Sequence, residues 1–354
     1  MLEQTKITAT FLERELVRVE FPSWNLVSDH PSRMGGAGKG PSPGEIMLAA
    51  LTSASVFSAQ DAAKSVGATL TSITARSGMR ADREGVEGPL HALAFLGRFW
   101  RRLELEGDLG GVDAASLGAK VGVLETLRHG IDLEEHVGFT RTNERRSAPA
   151  WKNDQFLSNE RVVDGLQTGA HVTGAIEGRW RASATLLDDN TALADIAGAP
   201  ICVSRIAGGK GPMPHELLLG GLAACTAIYV GRNALFHDIP IERVTVTVTA
   251  DTPASLADPI KRMVKITDVA GRLTGEEEDK CKFFADFCAL GETLKRGAEI
   301  IDSVEVLKAS GEGGARSPFA NIERSTQLPT DLACDDGACC APEASLPRAS
   351  GPGR

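Results

Sequence analysis

The sequence predicts an α/β protein, of the α+β kind, built from two similar halves in which short strands surround one long apolar helix. Two apolar runs, Ile46–Ala59 and Leu217–Val230, have the length and continuity of buried core helices. Other stretches, such as VTVTVTA at 244–250, alternate β-branched with other residues, as half-buried strands do. Finally, the second half repeats motifs of the first in the same order.

Two pairs of motifs carry the repeat. GPSPGEIMLAALTSA at 40–54 resembles GPMPHELLLGGLAAC at 211–225, and the lysines that precede these motifs are 171 residues apart. ETLRHG at 125–130 resembles ETLKRG at 292–297, an offset of 167 residues. Because the order and nearly the spacing are kept over so long a period, the chain is predicted to contain a duplicated domain.

The first half contains a long helix preceded by strands. Pro43 is predicted to begin a helix that continues to about Val66, because proline is tolerated in a first turn and Glu45 favours the positive helix end. A second helix is expected to end at Gly130. The predicted strands are Ile7–Phe11, Leu16–Phe21, Leu26–Ser28, Thr69–Gly78 and Leu90–Leu105, and the second helix is Asp113–Gly130.

The second half is predicted to repeat this order. Its strand candidates are Val172–Leu187, Ala192–Val203, 244–250, Arg262–Arg272 and Ile300–Leu307, and its helices are Pro214–Phe236 and Glu276–Gly297. We therefore divide the chain into a domain at 1–140, a polar linker at 141–168, a domain at 169–308 and a tail at 309–354. The tail is rich in Gly, Pro, Ala and Ser and is predicted to be mostly disordered.

Composition narrows the classes of partner and compartment. The net charge of −9 argues against nucleic acid, because phosphate binding requires a basic face. The apolar runs are shorter than the ~20 residues a bilayer requires, so no membrane span is predicted. The N-terminus has no basic start followed by an apolar stretch, so we expect a cytoplasmic protein. In that compartment the seven cysteines are expected to be free, catalytic or metal-binding rather than disulfide-bonded.

Cys225 and Cys288 fall in the two predicted helices of the second half. One interpretation is that both are small core residues, since free cysteine is among the most buried residue types. The repeat favours a shared function instead, because the matching first-half residues are Ala54 and Val121, so that both thiols are missing together. Two thiols that pack together could act as a reactive thiolate and its resolving partner.

Two motifs of the second half resemble the OsmC/Ohr family. The residues that carry the resemblance are Gly211, Pro212, Pro214, Glu216, Leu217–Leu219, Leu222, Cys225 and Thr226, followed by Ala285, Cys288, Thr293 and Leu294. It covers roughly 170–308 well and 5–140 more faintly. The sequence departs from the family pattern at Ala289, where proline is usual, and at His215, where the peroxidase branches place glutamate.

The resemblance implies a fold in which two central helices carry the thiols between curved antiparallel sheets. Family members are usually intertwined homodimers of a domain of about 140 residues, and this chain resembles two such OsmC-like domains fused into one polypeptide. The implied assembly is an intrachain pseudo-dimer that can be a monomer, with the first half as a scaffold that lacks the thiols. Fusion would make assembly independent of protein concentration.

The resemblance also implies a thiol-dependent peroxidase that reduces organic hydroperoxides. Cys225 would be the thiolate that becomes sulfenic acid, Cys288 would resolve it to a disulfide, and a thiol or lipoyl-type reductant would restore the pair. In that family an Arg and a Glu hold the thiolate. Here the candidates for these roles are Glu216, His215 and Arg205, with Arg33, Arg179 and Arg181 as alternatives to Arg205. No cofactor and no metal is implied for the catalytic domain.

Several alternatives remain open from the residues alone. Glu216 could be only a first-turn helix charge, and His215 could either accept a proton from Cys225 or be exposed. A rival function is thiol transfer or hydrolysis on a sulfur compound by Cys225 or His215. Another is a non-enzymatic protein that binds an apolar ligand between its halves and a soft metal at CDDGACC (334–340). Cys202 and Cys281 belong to no motif.

Overall fold

The computed structural model describes residues 4–13, 16–30, 36–82, 95–142, 181–196 and 199–307. The predicted tail, most of the predicted linker, and the starts of the strands predicted at Leu90 and Val172 lie outside these residues. Within them the strands are β1 (Gln4–Glu13), β2 (Leu16–Glu20), β3 (Asn25–Ser28), β4 (Thr69–Asp82), β5 (Phe95–Asp108), β6 (Asp132–Thr140), β7 (Arg181–Asp188), β8 (Thr191–Ile196), β9 (Ala199–Ser204), β10 (Ile241–Asp251), β11 (Arg262–Gly271) and β12 (Glu299–Leu307). The helices are α1 (Pro43–Val66), α2 (Ala114–Leu117), α3 (Gly122–His129), α4 (Pro214–Phe236), α5 (Gly275–Asp286) and α6 (Ala289–Arg296).

The two long helices, α1 and α4, have the bounds that the sequence predicted. In α1 the side chain of Glu45 accepts a hydrogen bond from the backbone N–H of Ser42 at 2.7 Å, which satisfies one of the free donors at the helix start. Both helices are longer than the apolar runs that predicted them, and by length and composition both could cross a membrane. However, 89% and 78% of their most apolar windows are buried inside the fold, so they are its core helices.

The shorter helices and two strands differ from the prediction, and one of these strands, predicted at Ala192–Val203, is divided into the antiparallel strands β8 and β9. Each expected second helix is interrupted, giving α2 and α3 in the first half and α5 and α6 in the second. The interruptions occur because Val121 and Cys288 adopt extended backbone conformations and each begins a new helix as its N-cap. Strand β6 was not predicted, because its sequence DLEEHVGFT is polar and only partly buried at a sheet edge.

The strands form two six-stranded sheets with the orders β3-β2-β1-β10-β11-β6 and β12-β5-β4-β7-β8-β9. The prediction of antiparallel sheets is confirmed for four pairings in each sheet and wrong for the fifth, because β6 lies parallel to β11 and β12 lies parallel to β5. Read from opposite ends, the two sheets have the same order of corresponding elements from the two halves. The tandem duplication and the pseudo-dimer stay predictions with which this order agrees.

Each sheet combines strands from both halves of the chain. The first sheet joins β1, β2, β3 and β6 to β10 and β11, and the second joins β4 and β5 to the remaining four strands. Helix α4 packs on the first sheet and α1 on the second, and the two helices contact each other, so the order of layers is sheet, helix, helix, sheet. The helices approach closely at Gly221, where an added Cβ atom would lie 3.0 Å from the carbonyl oxygen of Pro43.

Candidate active site

The structure brings Cys225 and Cys288 into contact. Cys225 lies inside α4, and Cys288 is the N-cap residue of α6, which packs against α4. The Cys225 thiol forms a hydrogen bond with the Cys288 sulfur. Cys288 is fully buried, whereas Cys225 is half-buried. The two thiols therefore form one pair in which Cys225 is the more accessible member.

The surroundings of the Cys288 sulfur favour its ionised form. The thiol of Cys225 is the main cause that lowers the pKa of Cys288 to about 6, and it outweighs burial, which raises this pKa. The positive charge of Lys265, the hydroxyl of Thr226 at 3.1 Å and the backbone N–H of Gly291 at 3.3 Å lower it further. At neutral pH these contacts therefore favour a thiolate on Cys288.

Lys265 and Glu135 are site residues that the sequence analysis did not find. Lys265 is fully buried on β11, forms an ion pair with Glu135 of β6, and donates a hydrogen bond from Nζ to the carbonyl of Ala285 at 2.6 Å. A signal for Lys265 was present in the alternation of β11, because it shares a strand face with the buried residues Met263 and Thr267. A lysine on the apolar face of a strand is unusual enough to mark a site.

The two other cysteines in the described part of the chain have surroundings of the opposite kind. Burial, together with the nearby charges of Glu277 and Glu278, raises the pKa of the Cys281 thiol to about 11. Burial also raises the pKa of Cys202. Both thiols therefore remain protonated at neutral pH, and a protonated thiol is a poor nucleophile. The three cysteines of CDDGACC lie outside the described residues.

Glu216 has a role at the start of α4. Its side chain accepts a hydrogen bond from the backbone N–H of Met213 at 2.7 Å, and its burial raises its pKa. Cys225 lies nine residues further along the same helix, which corresponds to about 14 Å along the axis. The predicted direct support of the Cys225 thiolate by Glu216 is therefore wrong, and the alternative of a first-turn helix charge fits its contacts.

His215 lies in a different part of the fold from the thiols. Its Nε2 atom is 3.2 Å from the hydroxyl of Thr5, and ten residues of α4, or about 15 Å, separate it from Cys225. It lines a cavity of about 280 Å³ together with Val123 and Thr252. Burial lowers the pKa of His215 to about 4. The prediction that His215 accepts the proton of Cys225 is therefore wrong, and so is the alternative that it is exposed.

Arg205 also has its contacts elsewhere. Its guanidinium donates to both carboxylate oxygens of Asp61 in α1, at 2.8 and 2.5 Å, and lies 5.7 Å above the ring centre of Phe57. The described contacts of Arg205 are thus with Asp61 and Phe57, and the cation whose charge acts on the Cys288 sulfur is Lys265. Of the alternatives, Arg33 and Arg179 lie outside the described residues, and Arg181 begins β7.

A metal centre has little support in this region. Across the described ranges, which exclude the cysteine tail, no group of three or more His, Cys, Asp or Glu side chains could hold an ion.

Comparison with known proteins identifies the segment that carries this site. Residues 207–301, which include both thiols and Lys265, match the family model described as OsmC-like protein, and we assign this segment to that family. The crystal structure of an OsmC-like protein from Mycoplasma pneumoniae is similar at 20% identity and a TM-score of 0.31, covering 37% of this chain and 98% of that one. A second solved structure, described only as structural genomics, has 22% identity and a TM-score of 0.30, covering 36% of this chain and 98% of that one. No curated protein matches the chain.

Proposed function

We propose that the chain is a thiol-dependent peroxidase that reduces organic hydroperoxides through Cys225 and Cys288. The observation that carries the proposal is the hydrogen bond between an accessible thiol and a fully buried one whose pKa is lowered to about 6. Such a pair holds a thiolate at neutral pH, and a thiolate is required for attack on a peroxide. The assignment of residues 207–301 to the OsmC-like proteins supports the same chemistry.

Cys225 is the attacking sulfur in this proposal, because a peroxide can contact it while Cys288 is fully buried. The proton of Cys225 passes along the hydrogen bond to the Cys288 sulfur, which acts as the base. The Cys225 thiolate attacks the distal oxygen of the hydroperoxide, so that an S–O bond forms and the O–O bond breaks. The alkoxide that leaves takes up a proton and becomes an alcohol, and Cys225 becomes a sulfenic acid.

Cys288 then resolves the sulfenic acid. Its sulfur attacks the sulfur of Cys225, the S–O bond breaks, and hydroxide leaves as water once protonated, so that a Cys225–Cys288 disulfide remains. Two thiols are oxidised and one hydroperoxide is reduced to an alcohol and water. A dithiol reductant, of the small-thiol or lipoyl type, returns the pair to its reduced form by thiol–disulfide exchange.

The proposal predicts a specific disulfide. After one equivalent of an alkyl hydroperoxide, peptide mapping should find Cys225 joined to Cys288, while Cys281 stays a thiol and serves as the internal control. Cys225→Ser should reduce peroxide consumption to the background of the buffer. Cys288→Ser should leave a trappable sulfenic acid on Cys225 and slow its formation by ~10²-fold or more, because the base is lost. If Cys225 remains a thiol while peroxide persists, the peroxidase proposal fails.

A further inference from the structure

Two buried cations occupy corresponding positions in the two sheets. Arg101 of β5 lies in register with Asp302 of β12, and Lys265 of β11 lies in register with Glu135 of β6. The side chains of Arg101 and Lys265 are fully buried, and each forms an ion pair with its register partner. Each sheet therefore carries one buried cation–carboxylate pair where its parallel strands meet.

The two cations also contact equivalent carbonyl groups. Arg101 donates to the carbonyl of Gly118 at 2.8 Å, and Lys265 donates to that of Ala285 at 2.6 Å. These carbonyls lie three residues before Val121 and Cys288, the N-cap residues of α3 and α6. The cation is thus placed beside the start of the following helix in both halves.

The two environments differ at the hydroxyl group of the neighbouring long helix. In the first half the second amino group of Arg101 lies 3.3 Å from the hydroxyl of Ser55. In the second half the corresponding hydroxyl, that of Thr226, contacts the Cys288 sulfur at 3.1 Å. The shorter lysine leaves this hydroxyl to the thiol, whereas the longer arginine takes it where no thiol is present. The first half therefore shows the same arrangement of buried cation and carboxylate without a thiol beside it.

We propose that Lys265, held in place by Glu135, is the positioning residue that keeps the negative charge of the thiol pair on Cys288. Its relevance to turnover rests on the proposed peroxidase function, but the charge placement itself does not. A buried ammonium requires a fixed partner, and the ion pair with Glu135 supplies it. By holding the charge on Cys288, Lys265 keeps this sulfur deprotonated and hydrogen-bonded to the thiol of Cys225.

Other titratable groups lie near this sulfur or near the Lys265–Glu135 pair, on the segments packed against them. They are Cys225 of α4, Lys265 of β11, Glu135 of β6, and Asp286, Glu292 and Lys295 of the α5–α6 segment. Glu135 is shared, because Lys295 forms an ion pair with its other carboxylate oxygen. Among these groups Lys265 is the cation whose charge lowers the pKa of Cys288, so its removal has a predictable sign.

The test is an ultraviolet titration of thiolate absorbance in the full-length reduced protein. Each protein is compared with its own Cys288→Ser counterpart, so that the difference reports Cys288. Lys265→Met should raise the midpoint of Cys288 by roughly one pH unit or more, because an opposite charge at close range is lost. Lys265→Arg should restore a low midpoint. Arg101→Met, the matched change in the other sheet, should leave it unchanged, and an unchanged midpoint in Lys265→Met would overturn the proposal.

A second variant keeps the proposal testable if Lys265→Met does not fold. Glu135→Gln removes the carboxylate that holds the Lys265 ammonium in place, so the midpoint of Cys288 should rise, as it does in Lys265→Met. A midpoint that falls or stays unchanged in Glu135→Gln would contradict the proposal. No peroxide is present in these titrations. A titration result that contradicts the role of Lys265 is therefore distinct from a failure of the Cys225–Cys288 disulfide to form.

Discussion

Cys225 and Cys288 are in hydrogen-bond contact; Cys225 is half-buried, whereas Cys288 is fully buried and accepts hydrogen bonds from nearby donors. In the proposed mechanism, Cys225 attacks the peroxide and Cys288 activates Cys225. The groups expected to activate Cys225, His215 and Arg205, instead have partners in other parts of the structure. At the scale of single residues, the proposed site therefore consists of the thiol pair and a buried lysine, while the histidine and arginine have contacts elsewhere.

His215 leads to a prediction about acid stability. Its pKa is about 4 in the folded protein and 6.5 in the unfolded chain, so the unfolded chain binds more protons between these values. The contribution of neutral His215 to the free energy of unfolding is therefore fully present above pH 6.5. It is lost as the pH falls towards 4. His215→Gln should reduce the slope of the free energy of unfolding against pH by up to about 1.4 kcal/mol per pH unit.

Denaturant unfolding at several pH values between 4 and 7 measures this dependence. The unmodified protein, measured over the same pH range, is the reference. Equal slopes for His215→Gln and the unmodified protein would contradict the burial of a neutral His215.

At the scale of elements, α4 packs closely against its sheet at positions where the helix has glycine. A Cβ atom added at Gly220 would lie 2.8 Å from the ring of Phe21, and one added at Gly231 would lie 2.5 Å from the ring of Phe11. These rings fill the space that side chains would otherwise take, and they set how closely the helix approaches β1 and β2. This close approach positions the helix that carries Cys225.

Gly231→Ala is predicted to destabilise the protein despite the better helix propensity of alanine. Overpacking costs about 1–3 kcal/mol, which exceeds the roughly 1 kcal/mol gained from propensity. Gly275→Ala is the matched control, because a Cβ atom there meets nothing within 4 Å. Urea unfolding should show a loss for the first variant and no loss for the second. Equal midpoints would mean that the ring of Phe11 moves without cost.

At the scale of the whole molecule, neither half has a complete sheet. Strand β6 of the first half pairs with β11 of the second, and β12 of the second pairs with β5 of the first. The buried ion pairs of Arg101 and Lys265 lie at these same pairings, and Glu135, which supports the thiol site, comes from the opposite half of the chain. A complete site therefore requires both halves.

Cutting the chain should not separate its halves. If residues 1–150 and 151–354 are produced together as two chains, they should co-purify as a one-to-one complex and unfold in one transition. Each fragment alone lacks the partner strands that cover its hydrogen-bonding edges and should aggregate or self-associate. Size measurement with light scattering checks this. Two separate, folded monomers would contradict the interchange of strands.

Local sequence patterns were sufficient to predict part of the fold and of the site. The bounds of α1 and α4 follow from proline and glutamate at their starts and from continuous apolar runs, which depend on neighbouring residues. The alignment of the two copies also shows that the first copy lacks both thiols, because Ala54 and Val121 stand at the matching positions. Strand β6 was missed because an edge strand needs little apolar surface of its own.

The sequence by itself thus determined the long helices, the class of fold and the residues of the thiol pair. Only the tertiary structure decided that the two sulfurs are in contact, that Lys265 and Glu135 form a buried ion pair near them, and that Glu216, His215 and Arg205 have partners elsewhere. The physical reason is how far apart in the chain the interacting residues are. Helix starts and strand alternation arise from residues close in the chain, whereas a pKa and an ion pair arise from groups brought together by the pairing of strands more than a hundred residues apart.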